Sequence, residues 1–458
     1  MGSQSVGTDG RAYLAEAESA WRRIAFLRVK RDRCKNYAYG NQWCDYVTTN
    51  SGATTEYDAI KAKGKEPLSN NMIRQLVKSV IGRFRESLSA GGDVVRDELD
   101  CRALEEFLIS GCCFQRVEMD GSVSNVSPAM MFFSDMDDPL GRDCCMIGQI
   151  HDLTIDALVA RLADGCRAKA LEICREYGAG SFVRQSPVSG GNGFYDSSGS
   201  DKMRVFEIWS LESRECYECH DREAGRWFVV PRGKEKDLPD SVEKRWTLCR
   251  VWRCRWVSLQ GRVLSQYDSP YPGGTHPFAF KLYPFIDGEV HSLVEDVIDQ
   301  QKYVNRLITL VDHIMGASAK GVLLFPDNLL PEGFTWNDLR NAWAQPDAVI
   351  PYHPRNNCSD RPQQVAANAT NIGAYEMLNL QMKLFEQISG VSGVLQGQSV
   401  SASTGLQLYE SQVRNATIAI SDILESFNSF RRQRDEKVKA AQAALGYSRY
   451  AAVGGVGG

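Results

Sequence analysis

The sequence predicts an α+β protein, since helical and strand-forming patterns occupy separate parts of the 458-residue chain. Residues up to about 89 have a helical pattern, and two stretches in the C-terminal third repeat apolar residues at helical spacing. Residues 203–285 instead contain short runs rich in Trp, Val and Ile that are closed by prolines, which is typical of antiparallel strands. A chain of this length is expected to form more than one domain.

The N-terminal part is expected to contain two helices separated by a polar loop. The first runs from Tyr13 through a basic segment and ends at Gly40, because glycine is frequent at helix C-termini. The motif Gly-Asn-Gln-Trp occupies positions 40–43, and the second helix runs from Asn70 to about Arg83.

The central part mixes helices and strands. A helix over 99–110 is followed by a strand that ends in an Asp-Gly turn at 120–121, by a strand over 128–135 and by a helix that begins at Thr154. Further strands are predicted, in chain order, over 205–209, 227–230, 246–258 and 262–264. This order places a β-rich region directly before the first long helix.

Two long helices carry an apolar stripe with alternating spacings of three and four residues, the period of helices that pack lengthwise on other helices. The stripe of the first helix is Val297, Gln301, Val304, Ile308, Val311 and Met315. The stripe of the last helix is Leu406, Tyr409, Val413, Ala416, Ile420, Ile423, Phe427 and Phe430. At about 1.5 Å per residue, a straight helix over 404–445 spans roughly 60 Å. An ordinary helical bundle has the same period, so the surrounding elements must decide between the two interpretations.

Composition argues against several classes of protein. The net charge of −4 lacks the basic excess that binds duplex DNA through counterion release, which argues against a repressor and is compatible with a conduit for sliding DNA. No apolar run approaches the roughly 18 residues that a membrane span needs, and the first residues lack the apolar core of a signal peptide. The cysteines are therefore expected to stay reduced.

In the order of its elements, the chain resembles the portal proteins of tailed bacteriophages, ring-shaped machines through which the genome enters and leaves the capsid. The resemblance rests on the Gly-x-Gln-Trp turn after the first helix, the Asn-led second helix, the strand with its Asp-Gly turn, and two long helices around a Pro-rich insert and a Gly/Ser-rich loop. It covers about 13–445, and its specificity lies in the succession of the motifs. It implies a β-containing wing, an α-helical stem, a small α/β clip and a long helix after a tunnel loop.

The resemblance divides the chain into successive segments. These are an N-terminal wing (1–285), the first stem segment (286–318, with its helix over 290–318), a clip (319–370), a second stem helix (371–389), a tunnel loop (390–403) and a long wing helix (404–445). Only a short Gly-rich tail (446–458) follows, so the helical crown of many relatives is expected to be minimal or absent.

The resemblance also implies roles for particular residues. The tunnel loop would touch DNA through small or neutral side chains, which cannot hold phosphates by charge, and its candidates are Val394, Gln396, Gln398, Ser399 and Ser401. The candidates for the channel wall of the stem are Glu295, Asp299, Lys302 and Arg306. The candidates for binding partners at the clip are Phe334, Trp336 and Trp343. The alternatives are a helix connector without a ligand for the loop, and a buried core for the two tryptophans.

The implied partners follow from the same resemblance. They are other copies of the chain in a ring of about twelve, double-stranded DNA without sequence preference, the terminase large subunit, head–tail adaptor proteins, and the major capsid and scaffolding proteins, with no membrane. The expected location is the portal vertex of the virion, with assembly in the host cytoplasm. The first rival interpretation is a head-associated structural or adaptor protein that does not form the channel.

Signals for catalysis and cofactors are weak. Cys216, Cys219 and His220 match the haem attachment pattern Cys-x-x-Cys-His, but residues three apart in a strand face opposite sides. A zinc site that adds Cys249 and Cys254 is the alternative, although its spacing is poor. No phosphate-binding loop, nucleophile elbow or zinc-protease motif is present. We therefore expect no catalytic residue, metal or cofactor, and a metal- or redox-dependent enzyme is the second rival.

Overall fold

The computed structural model describes residues 9–50, 52–88, 93–178, 193–196, 202–222, 225–233, 238–239, 242–318, 322–331, 333–344, 350–352, 361–365, 372–391 and 406–453. Within these ranges the helices are α1 (Arg11–Arg23), α2 (Ala25–Tyr39), α3 (Glu56–Lys61), α4 (Met72–Ser87), α5 (Val94–Ser110), α6 (Ile155–Leu162), α7 (Arg167–Gly178), α8 (Leu293–Ser318), α9 (Trp336–Ala344), α10 (Ile372–Ser389) and α11 (Leu406–Val453).

The strands of the described residues form antiparallel pairs. They are β1 (Tyr46–Thr49), β2 (Gly52–Thr55), β3 (Cys112–Val117), β4 (Val123–Val126), β5 (Met131–Phe133), β6 (Met146–Leu153), β7 (Met203–Asp221), β8 (Arg226–Pro231), β9 (Val242–Ser258), β10 (Val263–Asp268), β11 (Phe278–Leu282), β12 (Val322–Leu324) and β13 (Gln363–Val365). Mixed helices and antiparallel sheets make this an α+β protein, as the sequence predicts.

The chain divides into two compact units, and neither is continuous in sequence. Unit 1 consists of Met1–Gly40, Ile73–Ile298 and Ser389–Gly458. Unit 2 consists of Asn41–Met72 and Asp299–Ile388. Each unit is therefore assembled from segments that are far apart in the chain.

Unit 1 is built on an antiparallel sheet in the order β10-β9-β7-β6-β5, with β8 also paired to β7. A second sheet in the order β11-β3-β4 carries the predicted hairpin. Phe114 of β3, Phe133 of β5 and Phe280 of β11 pack together with ring centroids 5.8–6.5 Å apart. These rings lie in one hydrophobic core, which therefore joins the two sheets.

A buried ionic cluster also joins the two sheets of unit 1. Glu207 of β7 is fully buried and accepts hydrogen bonds from Arg116 of β3, from His151 and from the indole N–H of Trp209. Burial alone would raise the pKa of Glu207, but the Arg116 guanidinium and His151 lower it well below its ordinary value. The carboxylate therefore stays charged and holds three side chains in place.

The last helix, α11, is fixed to the core of unit 1 by an ion pair that is shielded from water. Arg434 of α11 bonds to Asp100 of α5, and neither side chain is accessible to solvent. Arg431 places its Nε 2.8 Å from the same carboxylate, and Arg434 also donates to the Gln115 side chain at 3.3 Å. Two cations and one carboxylate thus fix the register of α11 against α5 and β3.

Apolar and hydrogen-bonded contacts extend this attachment along α11. Phe427 packs on Phe84 and Phe107 with centroid distances of 5.5 and 5.8 Å. Further along α11, Lys437 donates to the backbone carbonyl of His276 at 2.7 Å. Burial lowers the pKa of Lys437 to about 8. The helix is therefore held to unit 1 over several turns.

Unit 2 combines the β1–β2 hairpin, α3, the part of α8 from Asp299 onward, the β12–β13 pair, α9 and α10. In the hairpin, Tyr46 pairs with Thr55 and Thr49 with Gly52. The Thr55 hydroxyl then caps α3 by accepting from the backbone N–H of Asp58 at 3.2 Å.

The helix ends show where local sequence signals were sufficient. Gly40 ends α2 with a φ of 101°, which a side chain would strain, and Thr154 caps α6 as the predicted start implies. The last helix was expected to end at residue 445, but it continues to Val453. A single glycine, Gly446, costs only about 1 kcal/mol in a helix, so it does not stop one whose next residues are compatible with helix.

We expect Arg434→Met to lower the free energy of unfolding of the protein by about 3 kcal/mol, because it removes one partner of a buried ion pair. The control is Arg432→Met on the exposed side of the same helix. Urea unfolding followed by tryptophan fluorescence measures both changes. Equal midpoints for the two variants would contradict the assigned role of the ion pair.

Candidate functional site

One face of α8 is buried and carries side-chain amides where a helix in a core usually carries apolar groups. Gln301 and Asn305 are fully buried one turn apart. The Gln301 amide accepts from the backbone N–H of Met72 at 3.0 Å and donates to the carbonyl of Asn70 at 2.6 Å. The Asn305 carbonyl oxygen accepts from the N–H of Asn70 at 3.0 Å and from Gln301 at 3.0 Å.

The same face of α8 continues for one further turn, and it contacts the Gly-Asn-Gln-Trp motif at residues 40–43. Thr309 accepts from the backbone N–H of Leu68 at 3.1 Å. Asn305 donates to the side chain of Gln42 at 2.7 Å, and the indole N–H of Trp43 donates to Ser69 at 2.9 Å. We call Gln42, Gln301, Asn305 and Thr309 the amide ladder.

The amide ladder explains how residues 68–71, which belong to no sheet, are held against α8. Residues 68–71 form neither helix nor strand, so their backbone polar groups need other partners once they are covered. The ladder supplies donors and acceptors at one-turn spacing and thereby fixes residues 68–72 in one register along α8.

A charged cluster lies beside the ladder on α8. Lys302 places its Nζ 2.6 Å from Asp45 and 3.6 Å from Glu56. Arg306 donates through Nε to Glu56 at 2.8 Å. Two cations of α8 therefore face two carboxylates of the β1–β2–α3 region, and Lys302 is largely withdrawn from solvent.

The four predicted channel-wall residues have different environments. Glu295, which belongs to unit 1, forms an ion pair with Lys30 at 3.2 Å and lies 3.5 Å from the Nδ1 atom of His291. Lys302 is held as described above. Arg306 keeps about half of its side chain exposed, and Asp299 is exposed with no ion pair among the described residues.

The predicted clip aromatics lie between β12 and β13 in the sequence of unit 2. Trp336 is exposed and packs edge-to-face on Phe325 at 6.4 Å. Trp343 lines a groove of about 370 Å³ together with Phe325 and Tyr352. Phe334 is half-buried, and its backbone N–H donates to the carbonyl of Pro331 at 3.1 Å. The two tryptophans are thus only partly covered.

The predicted tunnel-loop residues lie outside the described residues. They are Val394, Gln396, Gln398, Ser399 and Ser401.

Comparison with known families decides what kind of protein this is. A family model described as phage P22-like portal protein matches residues 115–438, which are 324 of the 458 residues. The chain belongs to this family of portal proteins. No curated protein matches the chain.

Membership of the portal family has general consequences. A phage portal protein is a structural component of the capsid vertex and part of a capsid-associated oligomeric assembly, and the family is not an enzyme family. Within the described part of this portal chain, no helix is long and apolar enough to cross a membrane.

The helix α10 of this portal protein has a feature that the sequence analysis missed. α10 exposes Met377 and Leu380 by about half of their surface, and Met382 and Ile388 by 40 and 44%. The sequence contains a signal for this exposure, because apolar and polar residues alternate over 377–388 and no single face of the helix is polar. A surface of this kind marks a contact with another molecule.

The structure does not bring the four candidate zinc cysteines together. Cys216 lies opposite Thr247, whereas Cys254 lies opposite Trp209, seven residues further along β7. At about 3.4 Å per residue, these positions are roughly 24 Å apart. Among the described residues, no three His, Cys, Asp or Glu side chains are grouped to hold a metal ion.

We expect Asn305→Leu to destabilise the protein by about 2–4 kcal/mol, because it removes the acceptor of the Asn70 N–H and a donor to the buried Gln42 side chain. Asp312→Leu, at an exposed position of α8, is the matched control. Thermal unfolding measured by calorimetry tests both. A control variant as unstable as Asn305→Leu would show that the ladder is not the cause.

Proposed function

We propose that twelve copies of this chain form a ring whose central channel conducts double-stranded DNA during packaging and ejection. Family membership supports a portal function in general. The observation that carries the proposal of a ring is the apolar surface of α10, since Met377 and Leu380 are exposed in the single chain and become buried only if another surface covers them.

In this proposal, α10 packs against a neighbouring subunit. A head-to-tail contact between identical chains closes into a ring when its rotation divides a full turn. An apolar helix face with Met377, Leu380 and Ile388 suits such a contact, because methionine and leucine fill irregular gaps between packed helices.

The outer stripe of α8 is proposed to face the channel. Asp299, Tyr303, Arg306 and Leu310 follow spacings of four and three residues, so they lie on one side of the helix, and all four are exposed. The stripe carries one acidic and one basic residue. A channel wall with no net basic charge releases few counterions from DNA and therefore permits sliding. We retain Glu295 and Lys302 as weaker candidates, because ion pairs within the chain already engage them.

The loop over 390–403 is proposed to contact DNA, and the clip to bind partners. Gln396 and Gln398 can donate amide hydrogen bonds to phosphates without a charge that would retain them. The groove beside Trp343 and the exposed face of Trp336 are the proposed surfaces for the terminase and for head–tail adaptors. Capsid and scaffolding proteins complete the proposed partners at the vertex.

We expect the double substitution Met377→Glu and Leu380→Glu to shift the protein from rings to monomers or small oligomers, since it would place charges in an apolar contact. Asn379→Glu with Gln387→Glu adds the same charge at exposed polar positions of α10 and should leave assembly intact. Analytical ultracentrifugation measures the mass of each variant. Rings of unchanged mass in the first variant would exclude α10 from the subunit contact.

We expect Gln396→Lys with Gln398→Lys to slow DNA packaging severalfold while rings still form, because each ring then presents added cations to the phosphates. Replacing the same two glutamines by asparagine keeps neutral amides and serves as the control. The measurement is the length of DNA packaged per unit time in a reconstituted assay. A normal rate in the lysine variant would contradict the contact between this loop and DNA.

A further inference from the structure

The long antiparallel strands β7 and β9 of unit 1 end in a three-stranded ribbon with β8. β8 pairs with Cys216–Asp221 of β7 on one side, and β9 pairs with the same part of β7 on the other. β10 covers only Arg253–Val257 of β9. Within the described residues, no strand pairs with the outer edge of β9 over residues 245–250, which we call the β9 edge.

The β9 edge carries apolar side chains on one face. Trp246 and Leu248 alternate along the strand and expose 54 and 56% of their surface. Two large apolar side chains in a row on an exposed edge strand form a surface that usually requires a partner, because an edge strand also presents unpaired backbone donors and acceptors.

The charges of the β9 edge favour one class of partner. Its sequence, Arg-Trp-Thr-Leu-Cys-Arg, contains two cations and no acidic residue. Arg245 and Arg250 are exposed and form no ion pair among the described residues, whereas Glu215 and Glu243 on neighbouring positions are already paired with Arg232 and Arg222. Arg245 lies opposite Glu218 in the register and Arg250 donates to the Cys145 sulfur at 3.4 Å, but neither guanidinium is held in an ion pair among the described residues. Both can therefore meet an external anion.

The distribution of side chains between the two faces of the β9 edge indicates which residues a partner strand should carry. Trp246, Leu248 and, at the end of the edge, Arg250 share one face of the ribbon, and Arg245 lies on the opposite face, because successive residues of a strand alternate. A strand added beside them would meet apolar groups on one side and a guanidinium on the other. An extended segment that alternates apolar and acidic residues places apolar groups against Trp246 and Leu248 and carboxylates on the side of Arg245.

We propose that the β9 edge binds such a segment, an extended acidic–apolar stretch of another protein, by strand addition. Backbone hydrogen bonds to the edge would provide affinity, and the alternating side chains would provide specificity. The inference does not depend on the DNA channel, because it concerns a ribbon of unit 1 alone.

Two other occupants fit less well. Duplex DNA presents phosphates and sugars but no apolar side chains to Trp246 and Leu248, so it would leave the apolar face of the edge uncovered. A second copy would offer either its own β8, which has Arg226 as its only charged residue and Pro231 as a residue without an N–H, or its own β9 edge with two arginines. Cations would then face cations.

The test uses the full-length protein and a fluorescein-labelled octapeptide of alternating glutamate and valine. Fluorescence anisotropy should show saturable binding, and the alternating lysine–valine octapeptide should bind at least tenfold more weakly. Trp246→Ser and, separately, Arg245→Glu should each weaken binding of the acidic peptide at least tenfold. Trp227→Ser is the matched control, since Trp227 is a similarly exposed tryptophan on the opposite edge of the ribbon.

Several results would overturn the proposal. They are absence of saturable binding, equal binding of the two peptides, an equal loss of affinity in Trp227→Ser, or competition by a short DNA duplex that depends on Trp246. A change of oligomer mass in Trp246→Ser would instead assign the β9 edge to a contact between copies. Circular dichroism spectra that match the wild type establish that each variant is folded.

Discussion

The buried ion pair between Asp100 and Arg434 is the interaction on which the architecture of unit 1 depends most. Unit 1 is assembled from three separate stretches of chain, and this pair joins the second stretch to the third. A charge in a dry site tolerates only a partner at the correct place, so the pair selects one register of α11. The apolar contacts of Phe427 would by themselves permit sliding by a turn, because such packing is not directional.

The amide ladder imposes a similar constraint within unit 2. Gln301, Asn305 and Thr309 turn one face of α8 into a row of hydrogen-bonding groups, and the backbone of residues 68–72 matches that row. Such a face leaves the opposite side of α8 available for other contacts. We therefore infer that the ladder fixes the orientation of α8 within unit 2. The stripe of Asp299, Tyr303, Arg306 and Leu310 is then exposed for contacts with other molecules.

Sequence reasoning predicted the elements whose signals are local. The α+β class, the left-handed end of α2 at Gly40 and the cap at Thr154 follow from the chemistry of single residues. The portal family followed from the order of elements, and the family match confirms it. The Gly-Asn-Gln-Trp motif was noticed as a marker, but its hydrogen bonds to α8 were not foreseen, since Gln42 and Asn305 are 263 residues apart.

The environments of the other residues could not be predicted from the sequence, because they depend on contacts between distant segments. Gln301 was assigned to an apolar stripe because its spacing fits, and only the fold shows that its burial depends on backbone groups near Asn70. Lys302 is a charged residue of the kind expected on a channel wall. Its charge is neutralised by Asp45 and Glu56, which come from a distant segment of the chain. In the proposed ring, α10 contacts another copy of the chain, and a single sequence cannot show which of its exposed apolar side chains that contact covers.

The most direct test of a ring-shaped channel is negative-stain electron microscopy of the purified protein, with its mass in solution measured in parallel. The account predicts closed rings with a central hole wide enough for duplex DNA, and a mass equal to a whole number of subunits near twelve. A stable monomer or dimer across a range of salt and protein concentrations would contradict it.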